Sequence, residues 1–285
     1  MMEVDGSGPI GIFDSGVGGL SVWREIVKLL PQENTIYFAD QAHVPYGPRG
    51  ETEIRHFCDR ITRFLQTKAC KAVVVACNTA SAAALKYLRE SFPDLPSVGM
   101  EPAVKPAAET TRTKVVGILA TPATFQGRLF AATAGRYAYA RGVTLISQVC
   151  PGLAEQVEAG KLDTADTEQM LRDWLAPMLA ARADRVVLAC SHYPFVIETI
   201  RRIVGPDVNV IDPAPAVARH VQRVLTAAQL LASPDIPAQH RFYTSEAPAG
   251  MQRLLLQLVG VAATPLAMRW DSNGELQEMA AERAA

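Results

Sequence analysis

Two cysteines stand where apolar, valine-rich segments end, and each is followed by polar side chains. Cys77 precedes Asn78-Thr79, and Cys190 precedes Ser191-His192. Thiols exchange protons near neutral pH once their surroundings tune them, so they can serve as acids or as bases. Two thiols on opposite faces of one carbon could therefore invert a stereocentre, one removing a proton and the other supplying one. The pattern predicts this chemistry without identifying a substrate.

Each of these cysteines also precedes a predicted helix start. Unpaired N–H groups and the helix dipole favour negative charge at such a position, so the local sequence favours the thiolate form of both side chains. The polar residues after each cysteine supply further hydrogen-bond donors.

The rest of the sequence alternates between strand-like and helix-like segments, which is typical of parallel α/β sheets. Continuous apolar strands are expected where helices cover both faces of a sheet. The polar tail from Ser272 is expected to be loosely held, and 93–102 is predicted to be a domain junction. Strands are predicted at 9–13, 35–39, 71–76, 114–119, 143–149, 185–189, 208–211 and 241–245, and helices up to Leu30 and at 51–67, 80–90, 164–181, 216–231 and 251–259.

Two short segments recur in the same order along the chain. Gly11–Ser15 is matched by Gly117–Thr121, and Lys71–Cys77 is matched by Asp184–Cys190. The repeat predicts two pseudo-symmetric α/β domains with parallel sheets. Ligands of open α/β sheets bind beyond the carboxyl ends of the strands, so the active site is predicted in the cleft between the domains.

In these motifs the chain resembles the glutamate racemases of bacterial cell-wall synthesis. The resemblance runs from Ile10 to about Ala218, and the order and spacing of the motifs make it specific, although each motif alone is weak. The matching segments are Gly11–Ser21, Ala39-Asp40, Pro45-Tyr46-Gly47, Ala76–Ser81, Glu101-Pro102-Ala103, Val157-Glu158, Cys190–Pro194 and Ile211-Asp212.

The resemblance implies a role for each matching residue. Cys77 and Cys190 would be the two acid/base groups, with Asp14 assisting Cys77, and His192 and Glu158 assisting Cys190. The implied reaction is racemisation of L-glutamate to D-glutamate for peptidoglycan, with no cofactor and no metal, in a homodimer. The family also suggests that Cys77 takes the proton from D-glutamate. Its members have two α/β domains with the C-terminal stretch returning to the first, which implies a first domain of 1–99 plus 211–285, with Cys77, and a second of 100–210, with Cys190. The implied substrate contacts are Asp14, Ser15, Tyr46, Gly47, Asn78, Thr79, Ser191 and His192.

One residue departs from the family pattern. Ser191 stands where threonine is usual, which keeps the hydroxyl and loses a methyl group. The alternative activity is that of an aspartate or broader-specificity amino-acid racemase of the same superfamily. Binding to DNA gyrase, a second role of some members, would be an addition to catalysis.

Two other interpretations of these motifs are weaker. Gly16–Gly19 with Asp40 is similar to a dinucleotide-binding fingerprint, but Ser21 occupies the third glycine position. Asp14 would also bring a carboxylate to the place of the pyrophosphate. No paired spacing supports zinc binding by the two cysteines and a histidine.

Composition argues against several other classes of protein. Lys plus Arg number 28 against 29 Asp plus Glu, so nothing favours nucleic acid as the main ligand. No apolar run approaches the roughly 18 residues of a membrane span, and the acidic start lacks the features of a signal peptide. Five cysteines without a CxxC pair indicate free thiols in a cytoplasmic setting. A packing role is predicted for Cys58, Cys70 and Cys150, and a structural role for His43, His56, His220 and His240.

Overall fold

The computed structural model describes residues 6–233 and 237–279. Strands and helices alternate along most of this length. The strands are β1 Ile10–Asp14, β2 Thr35–Ala39, β3 Ala72–Val75, β4 Ser97–Gly99, β5 Val115–Ala120, β6 Thr144–Val149, β7 Arg185–Ala189, β8 Asn209–Ile211, β9 His240–Thr244, β10 Leu266–Trp270 and β11 Leu276–Glu278. The helices are α1 Leu20–Leu29, α2 Glu51–Thr67, α3 Asn78–Ser91, α4 Val104–Thr110, α5 Pro122–Gln126, α6 Arg128–Thr133, α7 Leu153–Glu158, α8 Ala165–Ala180, α9 Ile197–Val204, α10 Ala214–Ala227 and α11 Pro248–Val259.

The described strands form two sheets. The larger has the order β11-β10-β9-β2-β1-β3-β4, and the smaller has the order β6-β5-β7-β8. Every pairing is parallel except that of β10 with β11. The predicted fold class, two α/β halves built on parallel sheets, is therefore confirmed. Ile211, which the predicted division assigns to the first domain, is the last residue of β8 and lies in the smaller sheet.

The internal repeat reappears as a repeated strand pair with one register. In the larger sheet Gly11 of β1 pairs with Val73 of β3. In the smaller sheet their counterparts pair in the same way, Gly117 of β5 with Val186 of β7. Because the registers match, the two strand pairs end in equivalent positions. The segment after β1 is therefore equivalent in position to the segment after β5, and the segment after β3 is equivalent to the segment after β7.

The central strands of the larger sheet are covered on both faces, which explains their continuous apolar sequence. Side chains of a strand alternate between faces. Ile12 packs in the cluster that contains residues of α1 and α10. Its neighbour Phe13 packs in the cluster formed with α2 and α3. Since α10 and β9–β11 follow the smaller sheet along the chain, the C-terminal part returns to the larger half.

The prediction of a loose tail from Ser272 is wrong for the described residues up to Met279. Asp271 Oδ1 accepts hydrogen bonds from the backbone N–H groups of Asn273 and Glu275, at 2.8 and 2.9 Å. This turn lets β11 pair with β10. His56 Nε2 also lies 2.9 Å from the carbonyl oxygen of Gly274. The polar composition reflects an edge hairpin that faces solvent.

The domain junction predicted at 93–102 contains the short edge strand β4. The three helices within 104–133 were not predicted, because their sequences show no clear helical pattern. Among the described residues, no helix has the length and apolar character that crossing a membrane requires.

Candidate active site

Cys77 lies just beyond the end of β3 and caps helix α3. Its Sγ accepts a hydrogen bond from the backbone N–H of Ala80 at 3.5 Å. The Cys77 thiol also donates to Oγ of Ser15, at a distance of 3.9 Å. Ser15 follows β1, the strand paired with β3. The side chain is buried, with 5% exposure. The predicted position of Cys77 at a helix start is therefore confirmed.

The expected consequence of that position, a stabilised thiolate, is wrong for Cys77. Burial raises the pKa of the Cys77 thiol well above its ordinary value, and the nearby Asp14 carboxylate raises it further. The hydrogen bond from Ala80 lowers the pKa, but by less. Desolvation disfavours the charged form more strongly than one backbone donor can stabilise it. The surroundings of Cys77 therefore favour the protonated form of its thiol.

Cys190 lies just beyond the end of β7, in a different environment. Its Sγ is 3.8 Å from Nδ1 of His192, and the other ring nitrogen of His192 is 2.7 Å from Oε1 of Glu158. The side chains of His192 and Glu158 are mostly buried, with 3% and 12% exposure. The segment after Cys190 does not enter an α-helix directly, since a short helical turn at Tyr193–Val196 precedes α9.

The ion pair of His192 with Glu158 sets the charge near Cys190. Burial by itself lowers the pKa of His192, but the contacts with Cys190 and Glu158 outweigh it and hold the pKa well above its usual range. Burial alone would raise the pKa of Glu158, but the hydrogen bond and charge of His192 outweigh burial and bring that pKa below its ordinary value. A charged imidazole, fixed by Glu158, therefore faces Sγ of Cys190.

Glu158 joins the two halves of the molecule. It is the last residue of α7, next to the smaller sheet, and its Oε1 also accepts from the backbone N–H of Val17 at 2.7 Å. Its Oε2 accepts from Nε2 of Gln41 at 3.0 Å. Val17 and Gln41 follow β1 and β2 of the larger sheet. The sequence alone gave little reason to distinguish Glu158 from a solvated carboxylate, because its partners come from distant segments.

The glycine-rich segment after β1 lets these side chains approach the backbone. A Cβ on Gly18 would lie 2.4 Å from Nδ1 of His192, and one on Gly16 would lie 1.9 Å from Oε1 of Glu158. The backbone N–H of Gly19, at the start of α1, donates to Oδ2 of Asp14 at 2.7 Å. The N–H that would face a pyrophosphate in a dinucleotide site thus already binds a carboxylate of the protein.

Asp14 is fully buried at the end of β1 and lies between the two cysteine sites. The hydroxyl of Ser191 is 3.3 Å from Asp14 Oδ2 and 3.4 Å from Oδ1. The hydroxyl of Ser15 is 3.5 Å from Oδ1. Burial raises the pKa of Asp14, although the positive charge of His192 and the N–H of Gly19 act against it. Asp14 therefore contacts the residue after Cys190 as well as influencing Cys77.

The predicted contacts Tyr46 and Gly47 differ in what they can offer a substrate. The ring of Tyr46 is buried, and its hydroxyl donates to Oδ2 of Asp40 at 2.6 Å. A contact with substrate at this position would therefore come from the backbone. Gly47 lies against Thr121, because a Cβ on it would be 3.4 Å from Cβ of that residue.

Asn78 and Thr79 begin α3, next to Cys77. Oδ1 of Asn78 is buried and has no hydrogen-bond partner among the residues that the structure describes. Oγ1 of Thr79 lies 3.0 Å from Oγ1 of Thr121, which in turn lies 3.0 Å from Oγ1 of Thr124. Thr121 is not among the predicted site residues, although the repeat aligns it with Ser15.

The residues of 6–233 and 237–279 include no cluster of three or more His, Cys, Asp or Glu side chains arranged to hold a metal ion. The groups brought together beyond the strand ends are two thiols, two carboxylates, one imidazole, several hydroxyls and one amide. These are groups for proton transfer and for binding a small zwitterion.

Comparison with known proteins agrees with this chemistry. The family described as Asp/Glu/hydantoin racemase matches residues 10–221. A glutamate racemase from Stutzerimonas stutzeri is 50% identical over 256 residues, 90% of this chain and 96% of the relative. The crystal structure of a glutamate racemase isoform from Bacillus anthracis has a TM-score of 0.83 and 32% identity, covering 93% of this chain and 98% of that one. Escherichia coli glutamate racemase, solved with L-glutamate and the activator UDP-MurNAc-Ala, has a TM-score of 0.78 and 31% identity, covering 91% and 97%.

The chain belongs to the Asp/Glu/hydantoin racemase family. Within that family its close relatives are the glutamate racemases, so the resemblance found in the sequence is confirmed.

Proposed function

We propose that this protein racemises glutamate by a two-base mechanism in which Cys77 and Cys190 act on opposite faces of the α-carbon. The observation that carries the proposal is the pairing of two buried thiols, one beyond each sheet, with unlike partners. Cys77 lies near a carboxylate that favours its protonated form. Cys190 lies beside His192, whose imidazolium is held in place by Glu158. An acid and a base in the same site are what inversion requires.

In the L-to-D direction, the Cys190 thiolate removes the α-proton, so the C–H bond breaks and an S–H bond forms. The electron pair left on the α-carbon takes the proton of the Cys77 thiol from the other face, which leaves Cys77 as a thiolate. The D-to-L direction reverses both transfers, in line with the family's use of the first cysteine on D-glutamate. His192, held by Glu158, stabilises negative charge on Cys190. Asp14 makes negative charge on Cys77 unfavourable, so that thiol returns readily to its protonated form.

The substrate contacts proposed are those that the family resemblance assigns. The unpaired Oδ1 of Asn78 is a buried acceptor suited to an ammonium group. The hydroxyls of Ser15, Thr79 and Ser191 and the backbone at Tyr46-Gly47 are suited to carboxylate oxygens. His192 and Asp14 complete the polar lining. The shared site also supports the proposed division into a Cys77 domain and a Cys190 domain, with the boundary of the second moved to include Ile211.

Glutamate is proposed over aspartate because the relatives and solved structures named above are glutamate racemases, and one is described in complex with L-glutamate. We further propose that the D-glutamate supplies peptidoglycan synthesis, that the enzyme works in the cytoplasm, and that it is a homodimer.

The proposal is tested by following the circular dichroism of purified protein with L-glutamate, and separately with L-aspartate, without added cofactor. Ellipticity should decay to zero with L-glutamate. The value of kcat/KM should exceed that for L-aspartate by at least about tenfold, because one methylene typically discriminates by ~1–3 kcal/mol. Equal or reversed preference would move the assignment to the broader-specificity racemases.

The roles of the two thiols are tested by Cys77→Ser and Cys190→Ser. A serine hydroxyl is too weak an acid to replace a tuned thiol, so each variant should lose racemisation in both directions. Far-ultraviolet circular dichroism should show that the fold is retained. Near-normal turnover by either folded variant would contradict the two-base mechanism.

A further inference from the structure

A chain of hydrogen bonds reaches the Cys190 site from strand β9 of the other half. Oγ1 of Thr244 donates to Oε1 of Gln41 at 2.9 Å, and Nε2 of Gln41 donates to Oε2 of Glu158 at 3.0 Å. Oε1 of Glu158 is 2.7 Å from Nε2 of His192, whose Nδ1 faces Cys190 at 3.8 Å. Thr244 is fully buried and Gln41 is partly buried. Neither residue has a role in the mechanism above.

The direction of this chain is fixed by Glu158. An ionised carboxylate only accepts hydrogen bonds, so the amide of Gln41 is oriented with its NH₂ group toward Glu158 and its carbonyl oxygen toward Thr244. The hydroxyl of Thr244 donates to that oxygen, while its own oxygen accepts from the backbone N–H of Glu246 at 3.1 Å. An inverted amide would place its oxygen against the carboxylate.

We propose that Gln41 and Thr244 are positioning residues for the base Cys190, acting through Glu158 and His192. The inference rests on the proposed function, because it assumes that Cys190 exchanges the α-proton.

The physical reason is the number of donors on Glu158. Val17, Gln41 and His192 together give its two oxygens three hydrogen-bond donors. A carboxylate held by several donors stays ionised and fixed in place. An ionised, fixed Glu158 requires a proton on Nε2 of His192 and leaves Nδ1 directed at Cys190. Without Gln41, Oε2 loses its protein donor, and the carboxylate can rotate away from the imidazole.

The test uses near-isosteric substitutions. Gln41→Met keeps the length of the side chain and removes both amide hydrogen bonds. Thr244→Val keeps the β-branched shape and removes the hydroxyl, whereas Thr244→Ser keeps the hydroxyl. The matched control is Gln257→Met. Gln257 is an exposed glutamine of α11 whose Nε2 donates to the carbonyl oxygen of Gly160, two residues after Glu158, at 2.8 Å.

The first readout is the rate at which iodoacetamide alkylates each active-site thiol in the folded protein at pH 7, measured by peptide mass spectrometry. Gln41→Met should slow alkylation of Cys190 about tenfold, the expected size for one lost hydrogen bond to a charged group. Alkylation of Cys77 should not change. Thr244→Val should act in the same direction, and the Gln41→Met/Thr244→Val double variant should match Gln41→Met alone, because Thr244 acts through Gln41.

The second readout is the primary isotope effect with α-deuterated L- and D-glutamate. Gln41→Met should enlarge the effect for the same enantiomer as His192→Asn does, and Thr244→Ser and Gln257→Met should behave as the wild type. The inference is overturned if Cys190 alkylation is unchanged, if Cys77 slows equally, or if Gln257→Met reproduces the result. Alkylation needs no turnover, so a wild-type protein that leaves glutamate unchanged would count against the proposed function and not against this relay.

Discussion

The hydroxyl of Ser191 lies 3.3 Å from Oδ2 of Asp14, which joins the residue after Cys190 to the carboxylate that influences Cys77. Each residue belongs to a different half of the molecule. The two thiol sites are therefore linked by a direct side-chain contact, and a change at one should be felt at the other.

Ser191→Ala removes the hydroxyl from Asp14, whereas Ser191→Thr keeps it and restores the residue usual in the family. Loss of one hydrogen bond to a buried charged group costs about 1.5–3 kcal/mol, so kcat/KM should fall at least about tenfold in Ser191→Ala. Ser191→Thr should retain most of the wild-type rate in the circular dichroism assay. A loss of similar size in both variants would show that shape at this position, and not the hydroxyl, matters.

Glu158→Gln should change the pH dependence of the reaction in a defined direction. Hydrogen bonding and charge from Glu158 help to hold the pKa of His192 above its usual range, against the effect of burial. Removing that charge lowers the pKa of His192, so its proton is lost at a lower pH. Because the proposed mechanism needs the imidazolium, the alkaline limb of kcat/KM should move down by about one pH unit, equivalent to 1.36 kcal/mol. Initial rates from pH 6 to 10 measure this, and an unmoved limb would mean that His192 acts while neutral.

Asp14→Asn and His192→Asn should lower kcat/KM equally for both enantiomers. L- and D-glutamate have equal free energy in water, so no variant can change the ratio of their kcat/KM values. What can differ is which proton transfer limits the rate. With α-deuterated L- and D-glutamate, one variant should enlarge the primary isotope effect mainly for one enantiomer and the other variant for its mirror image. The same pattern in both variants would contradict the assignment of Asp14 to Cys77 and His192 to Cys190.

Gly18→Ala tests the close approach of His192 to the glycine-rich segment. A Cβ at this position would lie 2.4 Å from Nδ1 of the ring, so the imidazole must move. Displacement of a catalytic group by about 1 Å can cost roughly 10²-fold in rate. Gly250→Ala is the matched control, because nothing lies within 4 Å of a Cβ there. Steady-state kinetics should show a large loss of kcat/KM only in Gly18→Ala, and equal rates in the two variants would contradict the packing described.

The strands of the smaller sheet, the central strands of the larger sheet and the positions of both cysteines could be predicted from the sequence. Runs such as Ala72–Val75 are buried on both faces, so their apolar character is continuous and easy to recognise. The hairpin Leu266–Glu278 was missed because its edge strand β11 is only three residues long and mostly exposed, and its partner β10 is a short strand of five residues. Its stability comes from pairing and from the turn at Asp271, neither of which has a strong local signature.

The partners of the site residues could not be predicted, because they are set by contacts between distant segments. Glu158 meets Val17, Gln41 and His192 only when the two halves come together. The pKa of Cys77 likewise depends on burial and on Asp14, which outweigh the helix start visible in the sequence. The hydrogen bond from the hydroxyl of Tyr46 to Asp40 had no signal in the sequence either.

The central claim is that two different thiols handle the two faces of the α-carbon, and the most direct test is racemisation of L-glutamate in D₂O. Early in the reaction, the α-position of both enantiomers is measured by mass spectrometry after chiral separation. The donor thiol exchanges with solvent before turnover, so a two-base enzyme should give D-glutamate carrying deuterium while the remaining L-glutamate keeps its proton. D-Glutamate that retains the original proton would mean that one group returns it to the other face, and the two-base mechanism would be contradicted.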